Sequence, residues 1–133
     1  MKISVIMSVH NGDKYLSEAI ESILAQSISN FEFIIVDDGS TDNTAKIIFN
    51  FAKKDNRIKY IRQKKHISSL ANYEFTLNSA RGDYFMWIAA DDMLSEKNYL
   101  KKLVEKFSSN FDYIFPDVSI INHKSEIITE NKM

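Results

Sequence analysis

The feature that most constrains the fold is a regular alternation of short apolar runs with amphipathic segments. Apolar runs at 2–9, 31–36, 58–62 and 84–89 have the length of strands, and each is followed by apolar residues at helical spacing. Such an order predicts a parallel sheet with right-handed crossovers. We therefore predict one α/β domain over residues 1–133, with a mostly parallel, Rossmann-like sheet between two layers of helices.

Capping residues predict where the helices begin and end. Asp13 is the predicted N-cap of the first helix and Ser95 that of the fourth, because both side chains accept hydrogen bonds from a first helical turn. Gly82 is predicted to close the third helix as a C-cap. Two further strands are predicted after the fourth helix, at Phe111–Phe115 and Ile120–Thr129.

Composition excludes several classes of protein. The 133 residues are 44% hydrophobic, which is too apolar for a disordered chain and sufficient for a core. A net charge of -1 gives no reason to expect nucleic-acid binding, and the absence of cysteine excludes disulfides and thiolate zinc sites. No apolar run approaches the roughly 20 residues of a transmembrane helix. Trp87, in an apolar strand, is predicted to lie in the core.

The chain has only three glycines, and their positions exclude two kinds of phosphate site. Neither the G-x-G-x-x-G fingerprint nor the G-x-x-x-x-G-K-[ST] loop can be formed, which argues against ordinary dinucleotide-binding dehydrogenases and P-loop NTPases. Gly12 and Gly39 instead follow the first and second strands directly. At these positions the backbone must turn sharply or approach a ligand closely.

Polar residues follow the strands at the sheet edge where open α/β folds bind ligands. Asp37-Asp38 and Asp91-Asp92 each follow a strand. Alone, the first pair is typical of a turn and the second of an acidic helix start, but their convergence on one edge favours a site. One or two carboxylates suffice for Mg²⁺ or Mn²⁺ that bridges phosphates, which suits Asp91-Asp92, whereas Asp38 suits a base or sugar edge. The other polar residues at this edge are Ser8, His10, Asn11, Asp13, Ser40, Lys64, Lys65 and His66.

Four segments of the chain, 3–12, 16–26, 31–42 and 81–92, resemble the family 2 glycosyltransferases of GT-A fold. The resemblance rests on a strand followed by Asp-Asp-Gly-Ser-Thr-Asp and a helix, with an acidic motif downstream in the family's order and spacing. It implies a nucleotide-sugar donor, often a UDP-sugar, bound with Mg²⁺ or Mn²⁺. It also implies an inverting, single-displacement transfer to a hydroxyl of a glycan or lipid-linked acceptor.

The resemblance also implies roles for individual residues. Ser8 and His10 would line the nucleobase pocket and Asp38 would bind the base, while Asp91 and Asp92 would contact the ribose and the diphosphate-bound metal. The implied setting is cell-envelope polysaccharide biosynthesis, in the cytoplasm or at the membrane periphery.

The chain departs from the family pattern at three places. Histidine stands at position 10, where an aromatic residue is common, and Ala89 stands where the acidic motif usually begins. Asp117 and Glu126 do not match the motif of the catalytic base. We therefore expect the base, and most of the acceptor-binding segment, to lie outside these 133 residues.

Two other functions are compatible with parts of the pattern. A non-catalytic nucleotide-binding or assembly module, from a truncated or split transferase, would explain the missing base and Ala89. A phosphoacceptor receiver domain has a similar length and architecture, but it needs an acidic pair after the first strand, where His10-Asn11-Gly12 stands.

Overall fold

A computed structural model describes residues 1–109, 112–114 and 117–131. Strands and helices alternate along most of this length, as the sequence predicts. The elements are β1 (Ile3–Val9), α1 (Asp13–Leu24), β2 (Phe31–Asp37), α2 (Thr44–Ala52), β3 (Ile58–Arg62), α3 (Ser69–Asn78), β4 (Tyr84–Trp87), α4 (Tyr99–Phe107), β5 (Val118–Ile121) and β6 (Ile127–Asn131).

The first four strands form one parallel sheet in the order β3-β2-β1-β4. Ile3 of β1 lies opposite Phe31 of β2 on one side and Tyr84 of β4 on the other, so the carboxyl ends of these strands share an edge. Every residue of β2 is buried, as its continuous apolar run predicts for a strand covered on both faces. The mostly parallel α/β fold is therefore confirmed.

Alternating side chains of the sheet pack into two cores on opposite faces. Met7 and Phe33 belong to the larger core, which also contains the apolar faces of α1, α2 and α4. Ile6 and Ile34 belong to the smaller core, which α3 covers through Tyr73 and Leu77. The arrangement has the predicted three layers, helix–sheet–helix.

The three predicted caps are wrong in ways that the tertiary contacts explain. α1 begins at Asp13, with Gly12 as its N-cap, and the Asp13 carboxylate accepts a bond from Asn43 before α2. α3 ends at Asn78, and Gly82 instead lies against β1, where an added Cβ would lie 2.7 Å from the Lys2 carbonyl oxygen.

The fourth helix begins later than the cap at Ser95 predicts. α4 starts at Tyr99 with Asn98 as its N-cap. Gln26, just after α1, accepts a bond from the Leu100 N–H at 3.0 Å and donates to the Glu96 carbonyl at 2.8 Å. A distant side chain therefore satisfies a first-turn donor of α4, which local sequence cannot reveal.

Two predictions about strands also need correction. The segment Ile120–Thr129 is a hairpin of β5 and β6, paired antiparallel around a turn at Ser125, whose φ is +62°. Phe111–Phe115 begins and ends outside the described residues, and residues 112–114 are not in a strand. Within the described residues, β4 is the outer strand of the sheet, and Trp87 is 48% exposed rather than buried in the core.

Among the helices of the described residues, none is long and apolar enough to cross a membrane.

Candidate functional site

The loop after β1 is tied to the loop after β2 by a set of short hydrogen bonds. The Asn11 N–H donates to Ser40 Oγ at 2.9 Å, and the Thr41 N–H donates to Asn11 Oδ1 at 2.8 Å. The Gly12 N–H donates to Thr44 Oγ1, at the start of α2, at 3.0 Å. Asn11 adopts φ +51°, which Asn tolerates better than most residues. The two loops therefore form one polar surface at the carboxyl edge of the sheet.

Asp37 supports the turn after β2 from inside the protein. Its side chain is fully buried, and its Oδ1 accepts a hydrogen bond from the Ser40 N–H at 2.9 Å. Its Oδ2 lies 3.4 Å from both the Arg62 Nε and the Tyr60 hydroxyl of β3. Burial, followed by the charge of Asp37, raises the pKa of Tyr60. This aspartate therefore holds the loop in place.

Asp38 has both carboxylate oxygens engaged by the loop after β3. His66 Nδ1 donates to Oδ2 at 2.7 Å, and the Ile67 N–H donates to Oδ1 at 2.9 Å. The Asp38 side chain is 2% exposed, whereas that of His66 is 51% exposed. A buried carboxylate is thus covered by a half-exposed imidazole.

Two imidazoles lie against one another above this carboxylate. The ring centroids of His10 and His66 are 4.3 Å apart, and the ring planes are inclined by 34°. His10 Nδ1 donates to the carbonyl oxygen of Asp38 at 2.7 Å. Both rings are therefore oriented by Asp38, one through its backbone and the other through its side chain.

Gly39 allows the loops after β2 and β3 to touch. Its φ is +67°, in the left-handed region that favours glycine. A Cβ at this position would lie 2.6 Å from the His66 backbone nitrogen and 2.7 Å from the Lys65 carbonyl carbon. The close backbone contact holds His66 next to Asp38.

Asp91 and Asp92 lie at the same edge, on the other side of the β1 loop. An added Cβ at Gly12 would lie 3.3 Å from the Cβ of Ala90, so this loop separates Asp38 from the acidic pair. The Ala89 backbone N–H donates a hydrogen bond to the Asp92 carboxylate. Burial, and then the charge of Asp91, raises the pKa of Asp92. These features suit a bound cation.

A cleft of about 170 Å³ opens beside the acidic pair, between α1 and the β5–β6 hairpin. Ser125 of the hairpin donates to Glu18 of α1 at 2.8 Å, and both residues line the cleft. Apart from the acidic pair, the polar residues that line the cleft are Tyr15, Glu18, Asn122, His123 and Ser125.

Two polar side chains lie on the α3 face of the sheet near its carboxyl edge. Asn72 is buried, and its Oδ1 has no hydrogen-bond partner in the described part of the chain. Its Nδ2 lies 3.5 Å from the carbonyl oxygen of Val36, which is opposite Ser8 in the sheet. Ser8 and Asn72 therefore offer polar groups on one face.

The structure thus places Ser8 in β1, His10 in the loop after β1 and Asp38 directly after β2, while both acidic-motif residues follow β4. Sequence reasoning placed His66 at this edge without giving it a role, and it did not identify Asn72. The sequence feature that could have marked His66 as a site residue is its position four residues after β3. Asn72 lies within a helix, and only the tertiary fold shows that its amide faces the sheet.

Comparison with known proteins identifies the family. The profile of "Glycosyl transferase family 2" matches residues 4–132. Glycosyltransferase GlyG of Streptococcus pneumoniae is 36% identical over 104 residues, which are 78% of this chain and 34% of that protein. The putative glycosyltransferase EpsE of Bacillus subtilis is 42% identical over 93 residues, 69% of this chain and 34% of that protein. The chain spans about a third of the length of these relatives.

Solved structures show the same architecture. Staphylococcus aureus TarS, residues 1–349, matches with a TM-score of 0.75 and 28% identity, over 82% of this chain and 33% of that one. TarS has also been solved with UDP and with UDP-GlcNAc. The mannosyltransferase PcManGT of Pyrobaculum calidifontis, solved with GDP-Man and Mn²⁺, has this fold at 20% identity and a TM-score of 0.71, over 77% of this chain and 31% of that one. The chain belongs to glycosyl transferase family 2, and its α/β fold is that of the GT-A glycosyltransferases.

Proposed function

We propose that this chain binds the nucleotide part of a nucleotide-sugar donor, with a UDP-sugar as the first choice. The observation that carries the proposal is the pair of sites on either side of the β1 loop. One consists of Asp38 with two imidazoles, and the other consists of the adjacent carboxylates of Asp91 and Asp92, where burial and then the charge of Asp91 raise the pKa of Asp92. A base and a metal-bound diphosphate need sites of these two kinds.

The base would bind on the Asp38 side of the loop. A carboxylate accepts hydrogen bonds from the N–H groups of a base, and an imidazole ring offers a face for stacking. Ser8 adds a hydroxyl on the α3 side of the same edge. The complexes of TarS with UDP and UDP-GlcNAc, at 28% identity, support a uridine nucleotide.

The diphosphate would bind on the side of Asp91 and Asp92. The donor set fits a hard divalent cation, since adjacent carboxylates supply oxygen ligands. Burial and then the charge of Asp91 raise the pKa of Asp92, and a bound positive charge would relieve both effects. Mg²⁺ or Mn²⁺ held there would neutralise charge on the departing diphosphate. The two aspartates would orient that diphosphate next to the cleft between α1 and the hairpin.

The whole reaction would be an inverting transfer of the sugar to a hydroxyl of a glycan or lipid-linked acceptor. A nucleotide-sugar is a cytoplasmic metabolite, so we propose a cytoplasmic site of action, with the acceptor reached at the membrane periphery. A role in cell-envelope polysaccharide synthesis follows from this choice of acceptor.

Titration calorimetry with UDP in the presence of Mn²⁺ tests the proposal. We expect saturable binding that is lost when EDTA removes the metal. Asp91→Asn and Asp38→Ala should each weaken UDP binding by at least about tenfold, because each removes a charged partner of the ligand. Asp83→Asn is the matched control, since this exposed carboxylate contacts Lys2 at the opposite edge of the sheet. Binding that is independent of metal and equal in all variants would contradict the proposal.

Ala89 favours a second candidate, a nucleotide-binding module without transferase activity, because the family's acidic motif usually begins with an acid at this position. This alternative predicts UDP binding with no donor hydrolysis or transfer against any acceptor. Release of UDP from a UDP-sugar by the purified chain, abolished in Asp91→Asn, would exclude it.

A further inference from the structure

We propose that the imidazole of His66 occupies the position of the nucleobase, and that the donor base displaces it from Asp38. This inference rests on the proposed function and names the residue with which the donor competes. His66 makes both contacts that a bound base would make at this edge. Its ring lies 4.3 Å from that of His10, and its Nδ1 donates to Asp38 Oδ2 at 2.7 Å.

Each oxygen of the buried Asp38 carboxylate already accepts one hydrogen bond while His66 is in place. Oδ1 accepts the Ile67 N–H and Oδ2 accepts His66, and the carboxylate is buried. A base approaching from solvent therefore meets the imidazole first. Because a buried carboxylate needs a donor at all times, His66 satisfies Asp38 in the free protein and the base N–H does so in the complex.

Displacement requires movement of a side chain and not of the loop. The backbone of Lys65 and His66 packs on Gly39, where even one added carbon would lie within 3 Å of it, and the Ile67 N–H separately anchors the loop to Asp38. The His66 side chain is 51% exposed, so its ring has solvent into which it can rotate. After rotation, the face of His10 and one oxygen of Asp38 become available together.

The exchange selects among bases. To replace the imidazole N–H, a base must point a ring N–H, and not a ring nitrogen lone pair, at the carboxylate. Uracil has an imino N–H at N3, and guanine has adjacent N–H donors at N1 and N2. Cytosine and adenine have a ring nitrogen lone pair next to their amino group, which the carboxylate repels. We therefore expect UDP and GDP to displace His66, and CDP and ADP to fail.

Calorimetric titration of the full chain with UDP and Mn²⁺, in wild type, His66→Ala and His66→Phe, tests the exchange. His66→Ala should lower the Kd for UDP about fivefold. In wild type only the fraction of molecules whose His66 ring has rotated away from Asp38 can bind the base, whereas in the variant every molecule can. His66→Phe keeps a ring against His10 without a donor to Asp38, and its Kd for UDP should lie between those of wild type and His66→Ala. Thermal unfolding of each variant checks that the fold is retained.

A spectroscopic measurement follows the displacement directly. In ¹⁵N-labelled protein, the His66 imidazole signals should shift on addition of UDP to those of a ring in water, whereas ADP should leave them unchanged. Weaker UDP binding in His66→Ala would overturn the proposal and make His66 a stacking partner of the base. Unchanged binding would overturn it and make His66 a loop contact. If neither wild type nor His66→Ala binds any nucleotide, the proposed function itself fails.

Discussion

The two consecutive aspartates after β2 have different environments although they are identical in sequence. Asp37 is surrounded by its own turn and by β3, and it holds the loop. Asp38 is covered by His66, which comes from 28 residues further along the chain. The strand-to-turn pattern predicts that both lie at the carboxyl edge. The pattern cannot assign a different role to each aspartate, because the roles depend on which residues of β3, and of the loop after it, contact each carboxylate.

Gly39 gives a prediction that separates loop geometry from side-chain chemistry. Gly39→Ala combines a left-handed φ with a backbone contact of 2.6 Å, so we expect a loss of about 1–3 kcal/mol in the free energy of unfolding. Chemical denaturation measures it. Thr41→Ala, exposed in the same loop, is the control and should change stability by less than about 0.5 kcal/mol. Equal free energies of unfolding for Gly39→Ala and wild type would show that the loops after β2 and β3 can move apart without loss of stability.

At the scale of elements, a buried carboxylate joins the strands at the amino end of the sheet. Glu32 of β2 accepts bonds from Ser4 of β1 at 2.6 Å, from Lys59 of β3, and from the Arg81 N–H before β4 at 2.7 Å. Burial alone would raise the pKa of Glu32, but the bonds from Lys59, Ser4 and Arg81 outweigh it and lower the pKa to about 2. One residue thus stabilises the pairing of all four parallel strands.

The pKa of Glu32 fixes the direction of its pH dependence. Because the folded-state pKa lies below the ordinary value of 4.5, the stabilisation is fully present above pH 4.5 and is lost as the pH falls towards 2. Glu32→Gln should lower the free energy of unfolding at pH 7 by about 2 kcal/mol and flatten its decline in acid. Urea titrations between pH 3 and pH 7 measure both. Glu74→Gln, an exposed glutamate of α3, should change neither.

Sequence predicts well the elements that need only an apolar surface to pack against, whichever residues provide it. The four parallel strands and the buried face of α1 follow from apolar periodicity, since any neighbouring apolar surface satisfies them. The start of α4 does not follow from apolar periodicity, because it depends on a hydrogen bond to the side chain of Gln26. The hairpin within 120–129 was missed as well: the polar residues 122–126 separate its two pairs of isoleucines, but the turn residue, Ser125, is not a glycine.

At the scale of the molecule, burial is concentrated in the centre of the sheet and falls towards β4 and the hairpin. Phe85 and Trp87 of β4 are about half exposed on the α3 face, and Val118, Ile120, Ile127 and Ile128 of the hairpin are exposed. The position of Trp87 could not be predicted from its apolar neighbours alone. An apolar strand can be central or at an edge, and only the order β3-β2-β1-β4 decides which.

This gradient predicts a matching gradient of local stability. Amides of β1 and β2 lie among fully buried side chains, so they should exchange with solvent only by global unfolding. Amides of β5 and β6 belong to a two-stranded hairpin with exposed side chains, and they should exchange at least about 100-fold faster through local opening. Hydrogen–deuterium exchange read by NMR or mass spectrometry measures both exchange rates.

The hydrogen bond from Ser125 of the hairpin to Glu18 of α1 provides a variant for this test. Ser125→Ala should speed amide exchange in β5 and β6 and leave exchange in β1 and β2 unchanged. Equal protection of hairpin and central strands would mean that the hairpin unfolds only together with the sheet.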